Sequence, residues 1–507
     1  MSLLAVDMGS SNCKAVAFSD EGQMLAQSAC HYAPLNSAST RSEVVPELFW
    51  QALCSATRST AAKLKHDPPT HLSISSHGET FIPVDAQQRP VAPAILNIDN
   101  RAVQQTEWLA QNLGRRQIFD ISGLVPHPMY PVPKIIWLRE NLRDTYAASK
   151  RFLPLPSFLL SRLGLPALVD YSLAGRSLAF DISRRCWSEK ILEACDLSQA
   201  QFPVAVPAGS IAGELSLEAA EDLGLTRGTQ VIVGGHDQPC GALGMGVLEQ
   251  GRVSASLGTY ECLVSASAGP ALNEAAFSAN LNTYCHVVPE RYVTLAYFPA
   301  GIMLEWLSRV LMASSDAMHE VNMFEELERE SRREPTGLSV LPHLPGSSTP
   351  DFNPFASGVI SGVQATTSRA DLYKGILEGI ACEFACATQL LEQAVGEIHE
   401  VHVSGGGCKS KLGLRLRASI SGHPIRSASC SEAVCLGTAI LCAVSACKYP
   451  SFTEAVKLFV QDAEHFSPDP SLNKAYKPFF QQHRLLYTQL SAVRDARAAS
   501  LLKRSTQ

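Results

Sequence analysis

The sequence has no apolar run near the roughly 20 residues that a helix needs to span a bilayer. Basic charge is not in excess either, since 42 lysines and arginines stand against 48 aspartates and glutamates, a formal net charge of -6 at pH 7. Nucleic acid is therefore not expected as a partner, because binding it needs a basic surface. No G-x-G-x-x-G motif opens a predicted helix, which argues against a dinucleotide-dependent hydride-transfer enzyme. We expect no membrane association and a small molecule as the ligand.

The cysteines lack the repeated spacing of a metal site, and we expect no leader peptide ahead of them. There are 15 of them, an odd number, spread from Cys13 to Cys447. Cys382 and Cys386 lie four residues apart on a predicted helix, but free cysteine commonly packs as a small core residue. We therefore expect reduced thiols, no cysteine-bound metal and a cytoplasmic location.

The length predicts more than one domain. At 507 residues the chain exceeds the about 250 to 300 residues at which single hydrophobic cores stop growing. Hydrophobic residues make up 46% and charged residues 18%, the balance of an ordinary globular enzyme. We predict a first domain at residues 1–246, a second at 247–450 and a C-terminal helical extension at 451–507.

A strand, a tight turn and a second strand occur near the start of each predicted domain. The first copy spans residues 3–18 and the second spans residues 253–264. Helical periodicity is clearest at residues 368–395, and a short strand at residues 401–404 follows it. The pattern therefore predicts that the chain repeats one α/β arrangement, which we interpret as two related halves.

Three glycine-containing turns are candidates for contacting a nucleotide. Backbone N–H groups of small residues can bind phosphate oxygens, and glycine lets a flat base approach the backbone. A plain β-turn explains any one of them alone, but three in this order favour a cleft for ATP. The residues predicted to bind ATP in these turns are Gly9, Ser10, Ser11, Asn12, Lys14, Gly258, Thr259, Gly406, Gly407 and Ser410.

Two aspartates stand where phosphoryl transfer would use them. Asp7 ends the first strand and is predicted to hold Mg²⁺ through water, since Mg²⁺ keeps much of its hydration. Asp237 follows a strand-like run at the junction of the two predicted domains, where a carboxylate can accept the proton of an attacking hydroxyl. Because Asp237 stands two residues before Pro239, a helix N-cap is the alternative interpretation, and the two roles are compatible.

Polar residues at strand ends in the first half are candidates for binding a polyhydroxylated ligand. Turn chemistry alone explains each group equally well, so both interpretations stay open. The residues predicted to bind a small sugar or polyol are His77, Gly78, Glu79, Asp99, Arg101 and Gln238.

Together these segments resemble the FGGY family of carbohydrate kinases from Leu3 to about Cys442. Residues 129–141, Met-Tyr-Pro-Val-Pro-Lys-Ile-Ile-Trp-Leu-Arg-Glu-Asn, fit the family's first signature, and residues 358–378 fit the second, with Gly375 in place of the usual Ala or Ser. The resemblance implies an α/β fold of two ribonuclease H-like domains, of the actin, hexokinase and Hsp70 type, with ATP in the interdomain cleft. It further implies that Asp237 is the catalytic base, that Asp7 serves the metal, and that Gly301 and Glu305 lie near the nucleotide.

The resemblance does not fix the substrate. Xylulose kinases carry Met-His-Gly and Trp-Asn-Asp-x-Arg, whereas this chain has Ser76-His77-Gly78 and, at residues 97–101, Asn-Ile-Asp-Asn-Arg. Glycerol kinases carry Arg-Glu-Thr where this chain has Gly-Glu-Thr, and residues 94–102 resemble the autoinducer kinases. We expect a ketose such as xylulose, with an autoinducer, glycerol or tetritol kinase as the alternative. A non-catalytic actin-like sensor is the alternative class, and a homodimer is left open.

Overall fold

A computed structural model of the chain describes residues 2–33, 35–38, 41–311 and 317–492. Its first half contains a six-stranded mixed sheet, a five-stranded antiparallel sheet and two two-stranded sheets. The strands of this half are β1 (Ser2–Met8), β2 (Asn12–Ser19), β3 (Met24–His31), β4 (Asn36–Ala38), β5 (Arg41–Val44), β6 (Pro69–Ser76), β7 (Phe81–Val84), β8 (Ala94–Ile95), β9 (Arg151–Pro154), β10 (Leu168–Asp170), β11 (Phe180–Asp181), β12 (Cys186–Trp187), β13 (Val204–Val206), β14 (Ile211–Glu214) and β15 (Gln230–His236). Its helices are α1 (Pro46–Ala61), α2 (Val103–Leu109), α3 (Arg115–Ser122), α4 (Pro131–Asn141), α5 (Arg143–Ala148), α6 (Leu155–Arg162), α7 (Tyr171–Gly175), α8 (Glu189–Ala194), α9 (Leu217–Leu223) and α10 (Asp237–Gly244).

The second half contains a seven-stranded mixed sheet and one two-stranded sheet. Its strands are β16 (Arg252–Leu257), β17 (Tyr260–Ser267), β18 (Asn282–Cys285), β19 (Tyr292–Pro299), β20 (Ser339–Leu341), β21 (Val359–Ser361), β22 (Glu400–Ser404), β23 (Ile425–Ala428) and β24 (Asp462–Phe466). Its helices are α11 (Glu274–Ser278), α12 (Gly301–Leu311), α13 (Ala317–Glu330), α14 (Arg369–Val395), α15 (Lys411–Ser421), α16 (Ala433–Ser445), α17 (Phe452–Phe459) and α18 (Pro470–Gln489).

The two large sheets share one arrangement. In the first, β1, β2 and β3 are antiparallel neighbours, and β6 and then β15 are added parallel to β1. In the second, β16, β17 and β19 are antiparallel neighbours, and β22 and then β23 are added parallel to β16. The repeated strand, turn and strand of the sequence therefore starts two related sheets.

Helices α10 and α16 join the halves by close packing of small residues. A Cβ atom at Gly244 would lie 1.9 Å from the Ala433 carbonyl oxygen, and one at Gly437 would lie 1.9 Å from the Cys240 carbonyl oxygen. Although α16 belongs to the second half in sequence, it also packs against β1 and β6 of the first sheet. An apolar cluster containing Leu3 and Ile440 therefore continues across the boundary between the halves.

The segment after residue 450 is not helical throughout. Strand β24 pairs antiparallel with β23 and forms one edge of the second sheet, between α17 and α18. The predicted helical extension thus includes a strand, because residues 462–466 add an edge strand to a sheet whose other strands all precede residue 450. Among the described residues, no helix has the length and apolar character to cross a membrane.

Candidate active site

The first glycine-containing turn joins β1 to β2. The Gly9 amide donates to the Asn12 carbonyl oxygen at 2.9 Å, and the Tyr32 hydroxyl donates to the carbonyl oxygens of Gly9 and Asn12. Ser10 and Ser11 are exposed at its tip. The buried Tyr32 therefore stabilises the turn by hydrogen bonds, while the side chains of Ser10 and Ser11 face solvent.

The second turn, Gly258 and Thr259, joins β16 to β17 and contacts the start of α12. The Gly301 amide donates to the Gly258 carbonyl oxygen at 3.1 Å, and the Thr259 hydroxyl donates to Glu305 Oε1 at 3.1 Å. A Cβ atom at residue 301 would lie 2.5 Å from the Gly258 carbonyl oxygen, so this approach requires glycine. The structure thus brings together the four residues that the sequence assigned to this part of the nucleotide site.

The third turn follows β22 and packs against Leu257, the last residue of β16. A Cβ atom at Gly405, which has a φ of +100°, would lie 2.7 Å from the Leu257 carbonyl oxygen, whereas nothing lies within 4 Å of a Cβ atom at Gly406. Open space beside Gly406 is where a flat base could approach. Ser410 is further along and has other partners, since its hydroxyl caps α15 through the Gly413 amide and donates to Glu328.

Asp7 lies at the end of β1, beside Ser75 of β6 and opposite Lys14 of β2. Its Oδ1 atom is buried and has no hydrogen-bond partner among the described residues. Burial raises the pKa of Asp7 to about 7, with Lys14 lowering it and Glu432 raising it. A carboxylate oxygen without a hydrogen-bond partner is free to bind a divalent cation, which would displace a proton and lower this pKa.

No group of three or more histidine, cysteine, aspartate or glutamate side chains in the described part of the chain could hold a metal ion. Mg²⁺ keeps several waters and takes few carboxylates, so Asp7 fits it as a single protein ligand beside a phosphate chain. Lys14 forms an ion pair with Glu432, from the segment before α16, with Nζ 2.8 Å from Oε2. This pair places one positive and one negative charge next to the first turn.

Asp237 is the first residue of α10, and the N-cap position belongs to His236. The side chain of Asp237 is 22% exposed, and its Oδ1 atom has no hydrogen-bond partner among the described residues, although His236 Nε2 lies 3.1 Å away. Burial raises the pKa of Asp237 well above its usual range, and the carboxylates of Asp7 and Glu79 raise it further. Burial raises the pKa of Cys262 to about 12, and the charge of Asp237 contributes to this increase. Asp237 therefore lies within electrostatic range of both halves.

His77, Gly78 and Glu79 follow β6 directly and are buried. Both ring nitrogens of His77 have partners, the Met8 carbonyl oxygen at 2.9 Å and the Thr80 hydroxyl at 2.7 Å. A Cβ atom at Gly78 would lie 3.0 Å from His236 Nε2 and 3.1 Å from Arg176 Cγ. His77 thus ties the strand end to β1, and glycine at 78 leaves room for its neighbours.

Glu79 forms a buried ion pair with Arg176, whose Nε atom donates to Glu79 Oε1 at 2.5 Å. Burial opposes the charge of Arg176, but Glu79 raises its pKa above the usual range, so the guanidinium stays positive. The Tyr130 hydroxyl donates to Asn282 Oδ1 at 2.5 Å, and Arg176 Nη1 lies 3.4 Å from the same oxygen. These four side chains form a continuous polar network from the first half to the second.

Asp99 and Arg101, predicted to bind the substrate, bond to each other. Asp99 accepts hydrogen bonds from the Ser42 amide at 2.7 Å and from Arg101 Nε at 2.9 Å, and Arg101 also contacts Glu43 at 2.6 Å. Arg101 lies over the Trp137 ring, 4.9 Å from its centroid. Gln238, by contrast, directly follows Asp237 and lowers its pKa through backbone and side-chain hydrogen bonds. The contacts of Asp99 and Arg101 stabilise the loop before α2, which is the turn interpretation left open above.

Sequence reasoning assigned no role to Arg176, Asn282, Tyr284 or Tyr297, which the structure places around Glu79 and Asp237. Tyr284 donates to or accepts from His236 Nδ1 at 2.9 Å, and Arg176 lies over its ring at 4.9 Å. Both partners come from segments more than 40 residues away, and no local motif marks either of them. The resemblance segment at residues 129–141 was the one signal that pointed towards this region, through Tyr130.

Comparison with known proteins identifies the family of the chain. The model of the FGGY family of carbohydrate kinases, N-terminal domain, matches residues 2–244, and that of its C-terminal domain matches residues 253–446. A xylulose kinase of Escherichia coli (strain K12) is 27% identical over 491 residues, which cover 96% of this chain and 99% of that protein. A gluconokinase of Bacillus subtilis (strain 168) is 22% identical over 506 residues, which cover 97% and 98%.

A ligand-bound xylulose kinase from Lactobacillus acidophilus has the same fold, with a TM-score of 0.88 at 19% identity, covering 97% of this chain and 98% of that one. The predicted α/β fold of two actin/hexokinase-type domains is thereby confirmed. With both domain models matched over most of its length, the chain belongs to the FGGY family of carbohydrate kinases, phosphotransferases that act on an alcohol group.

Proposed function

We propose that this kinase transfers the γ-phosphoryl group of MgATP to a terminal hydroxyl of a small ketose such as xylulose, with Asp237 as the general base. The observation that carries the proposal is the Asp237 carboxylate, whose Oδ1 atom accepts no hydrogen bond from the described residues and which lies within electrostatic range of Asp7 and Cys262. A base with a raised pKa holds the proton that it takes from the attacking hydroxyl. Family membership makes the chain an enzyme, so the sensor alternative is set aside.

On the nucleotide side, the first two turns contact the phosphates and the third lies beside the base. Asp7 would hold Mg²⁺, and Lys14 adds positive charge at the first turn. When bound, Mg²⁺ neutralises charge on the phosphate oxygens, which is the main requirement of a loose phosphoryl-transfer transition state. Gly301 and Glu305 fix the second turn through their bonds to Gly258 and Thr259.

On the acceptor side, the network of Glu79, Arg176, Asn282 and Tyr130 binds the hydroxyl groups of the sugar. Arg176 and Glu79 hold each other in fixed positions, so little conformational entropy is lost when a substrate arrives. His77 and Gly78 shape the wall next to Asp237, and Gln238 orients the carboxylate of the base. Asp99 and Arg101 keep the loop before α2 in place and act on the substrate through that loop.

The contacts of Gly78 favour the ketose over the glycerol alternative. Glycerol kinases carry an arginine in the corresponding Arg-Glu-Thr segment, but here the space beside residue 78 is already filled by His236 and Arg176. A longer side chain at this position would have to displace one of them. The cationic group of this wall is therefore supplied by Arg176 rather than by residue 78.

The test is ADP release with MgATP and a panel of ketopentoses, ketohexoses, aldonates, tetritols, glycerol and autoinducer precursor. We expect the highest kcat/KM with a ketopentose. Asp237→Asn should lower kcat about 10²- to 10⁴-fold with that substrate and leave the Kd for ATP unchanged. The matched control is Asp222→Asn, because Asp222 is a half-exposed aspartate on α9 with a surface partner. Near-native turnover by Asp237→Asn would overturn the assignment of the base, and a preference for glycerol would overturn the substrate class.

A further inference from the structure

A cavity of about 420 Å³ lies in the second half, between residues 343–351 and the helices α14 and α18. None of the residues assigned above to ATP, metal or acceptor lines it. Its volume falls within the usual range for small-molecule sites, about 300 to 1,000 Å³. The cavity is therefore separate from the catalytic site and has no role in the reaction proposed above.

The inner wall of the cavity is a buried polar cluster from three elements. Glu383 of α14 accepts hydrogen bonds at its Oε1 atom from His343 Nε2 and from His483 Nε2 of α18, each at 2.9 Å. Burial acts to raise the pKa of Glu383, but the two histidines outweigh it and hold the pKa below its usual range. The wall thus has a carboxylate that is held in place by two histidine hydrogen bonds.

One atom of this wall lacks a partner. His343 is 4% exposed, and its Nδ1 atom is buried without a hydrogen-bond partner among the described residues. A buried polar atom without a partner is unfavourable, and a ligand hydroxyl that reached it would supply one. His343 therefore lines the cavity with hydrogen-bonding capacity that the described residues do not use.

The rim carries groups that can bind the hydroxyls of a ligand and one cationic group that can bind an anionic group of that ligand. Arg484 is exposed on α18, and its guanidinium forms no ion pair or hydrogen bond with the described residues. Gln393 and Thr488 supply an amide and a hydroxyl. Arginine matches phosphate geometry, while amides and hydroxyls bind hydroxyls, so this rim fits a hydroxylated chain with one phosphate end.

The same segment that lines the cavity contacts the acceptor side of the catalytic cleft. The Thr349 amide donates to the Tyr297 carbonyl oxygen at 3.0 Å, and the Tyr297 amide donates to the Thr349 hydroxyl at 3.2 Å. The Phe352 ring lies 5.4 Å from the Tyr297 ring and 5.6 Å from the His127 ring of the first half. A ligand that moves residues 347–352 would therefore act on Tyr297 and on a contact between the halves.

We propose that this cavity is a regulatory site for a phosphorylated sugar or polyol, the chemical class of the reaction product, whose binding changes acceptor affinity through residues 347–352. The ligand class rests on the proposed function, whereas the cavity and its coupling to Tyr297 do not. Such a ligand changes acceptor affinity only if it binds the acceptor-bound and the acceptor-free enzyme with different affinities. The effect is therefore measured on the acceptor KM.

Binding is tested by titration calorimetry on the full chain, with the catalytic site saturated by acceptor and a non-hydrolysable ATP analogue. D-xylulose 5-phosphate should bind at one further site, and Arg484→Ala should weaken that binding by about tenfold or more. The matched control is Arg415→Ala, an exposed arginine on α15 that does not line the cavity. Absence of a second site, or equal binding of inorganic phosphate, would overturn the inference.

Kinetics separate this inference from the proposed function. Without added sugar phosphate, Arg484→Ala should phosphorylate the acceptor like the unmodified chain, while the effect of added sugar phosphate on acceptor KM should be lost. Purely competitive inhibition that is identical in both proteins would count against a regulatory site. If the chain phosphorylates no sugar yet binds sugar phosphate in an Arg484-dependent manner, the proposed function fails and the cavity assignment stands.

Discussion

Lys14 of β2 and Glu432, immediately before α16, form an ion pair across the two halves of the chain, with Nζ 2.8 Å from Oε2. The lysine side chain is 39% exposed and the glutamate 17%, so the negative charge is the more enclosed of the two. Removing the lysine would leave that carboxylate unpaired beside Asp7, where it already raises the pKa of Asp7. The pair therefore sets the charge that an incoming phosphate chain meets at the first turn.

Replacing Lys14 by Met should raise the KM for MgATP by about tenfold or more, because the phosphate loses a cation and faces an uncompensated carboxylate. The double variant Lys14→Met/Glu432→Gln should recover part of that loss, since the repulsion is removed with the carboxylate. Steady-state kinetics with MgATP as the varied substrate measure both effects as a double-mutant cycle. Strictly additive losses would mean that Glu432 does not act through Lys14.

The rate should depend on pH through Asp237. Because a base acts in its deprotonated form and burial raises the pKa of Asp237, kcat/KM for the acceptor should fall as pH drops below a midpoint well above about 4. The profile is measured at saturating MgATP, since bound metal keeps Asp7 deprotonated. The residual activity of Asp237→Asn should lack this acid limb. An unchanged limb in that variant would assign the titration to another group.

Local sequence was enough to predict the three turns and to single out Asp237 as a candidate base. Gly9, Gly258 and Gly406 each follow a strand, and a glycine between a strand and the next element is recognisable within about ten residues. Asp237 was found from its place at the junction of two halves, and the structure shows that His236 rather than Asp237 holds the cap position. These features depend on short-range geometry, which is encoded nearby in the chain.

The acceptor side depends on contacts that no local pattern reveals. Asn282 and Arg176 are 106 residues apart and meet because β18 and α7 pack together across the halves. Asp99 and Arg101 have the polar character expected of substrate ligands, yet each is the partner of the other. Sequence predicts which residues are polar at strand ends, while tertiary packing decides whether they face a ligand or one another.

The buried pair of Arg176 and Glu79 should be essential for both stability and acceptor binding. Arg176→Met leaves a carboxylate that is 3% exposed without its partner, and breaking such a pair typically costs about 3 to 5 kcal/mol. Arg176→Met/Glu79→Gln should regain much of the stability but not the acceptor KM, because hydroxyl recognition needs the charges. Urea unfolding and acceptor kinetics measure the two effects separately. Arg116→Ala, at an exposed pair, is the control and should cost about 1 kcal/mol or less.

Close packing of α10 against α16 should tolerate a methyl group at one glycine and not at another on the same helix. A Cβ atom at Gly244 would lie 1.9 Å from the Ala433 carbonyl oxygen, whereas one at Gly241 would meet Val434 Cγ2 at 3.5 Å, an ordinary contact. Gly244→Ala should therefore force the helices apart and lower both the melting temperature and kcat, because the helices join the two halves that carry Asp237 and the nucleotide turns.

Gly241→Ala is the matched control, and it should change stability by less than about 1 kcal/mol or raise it slightly, since alanine favours helix over glycine. Differential scanning calorimetry and ADP release on both variants make the comparison. Equal melting temperatures for the two variants would show that the helices can separate without loss of stability. The proposal that α10 and α16 couple the two halves would then be wrong.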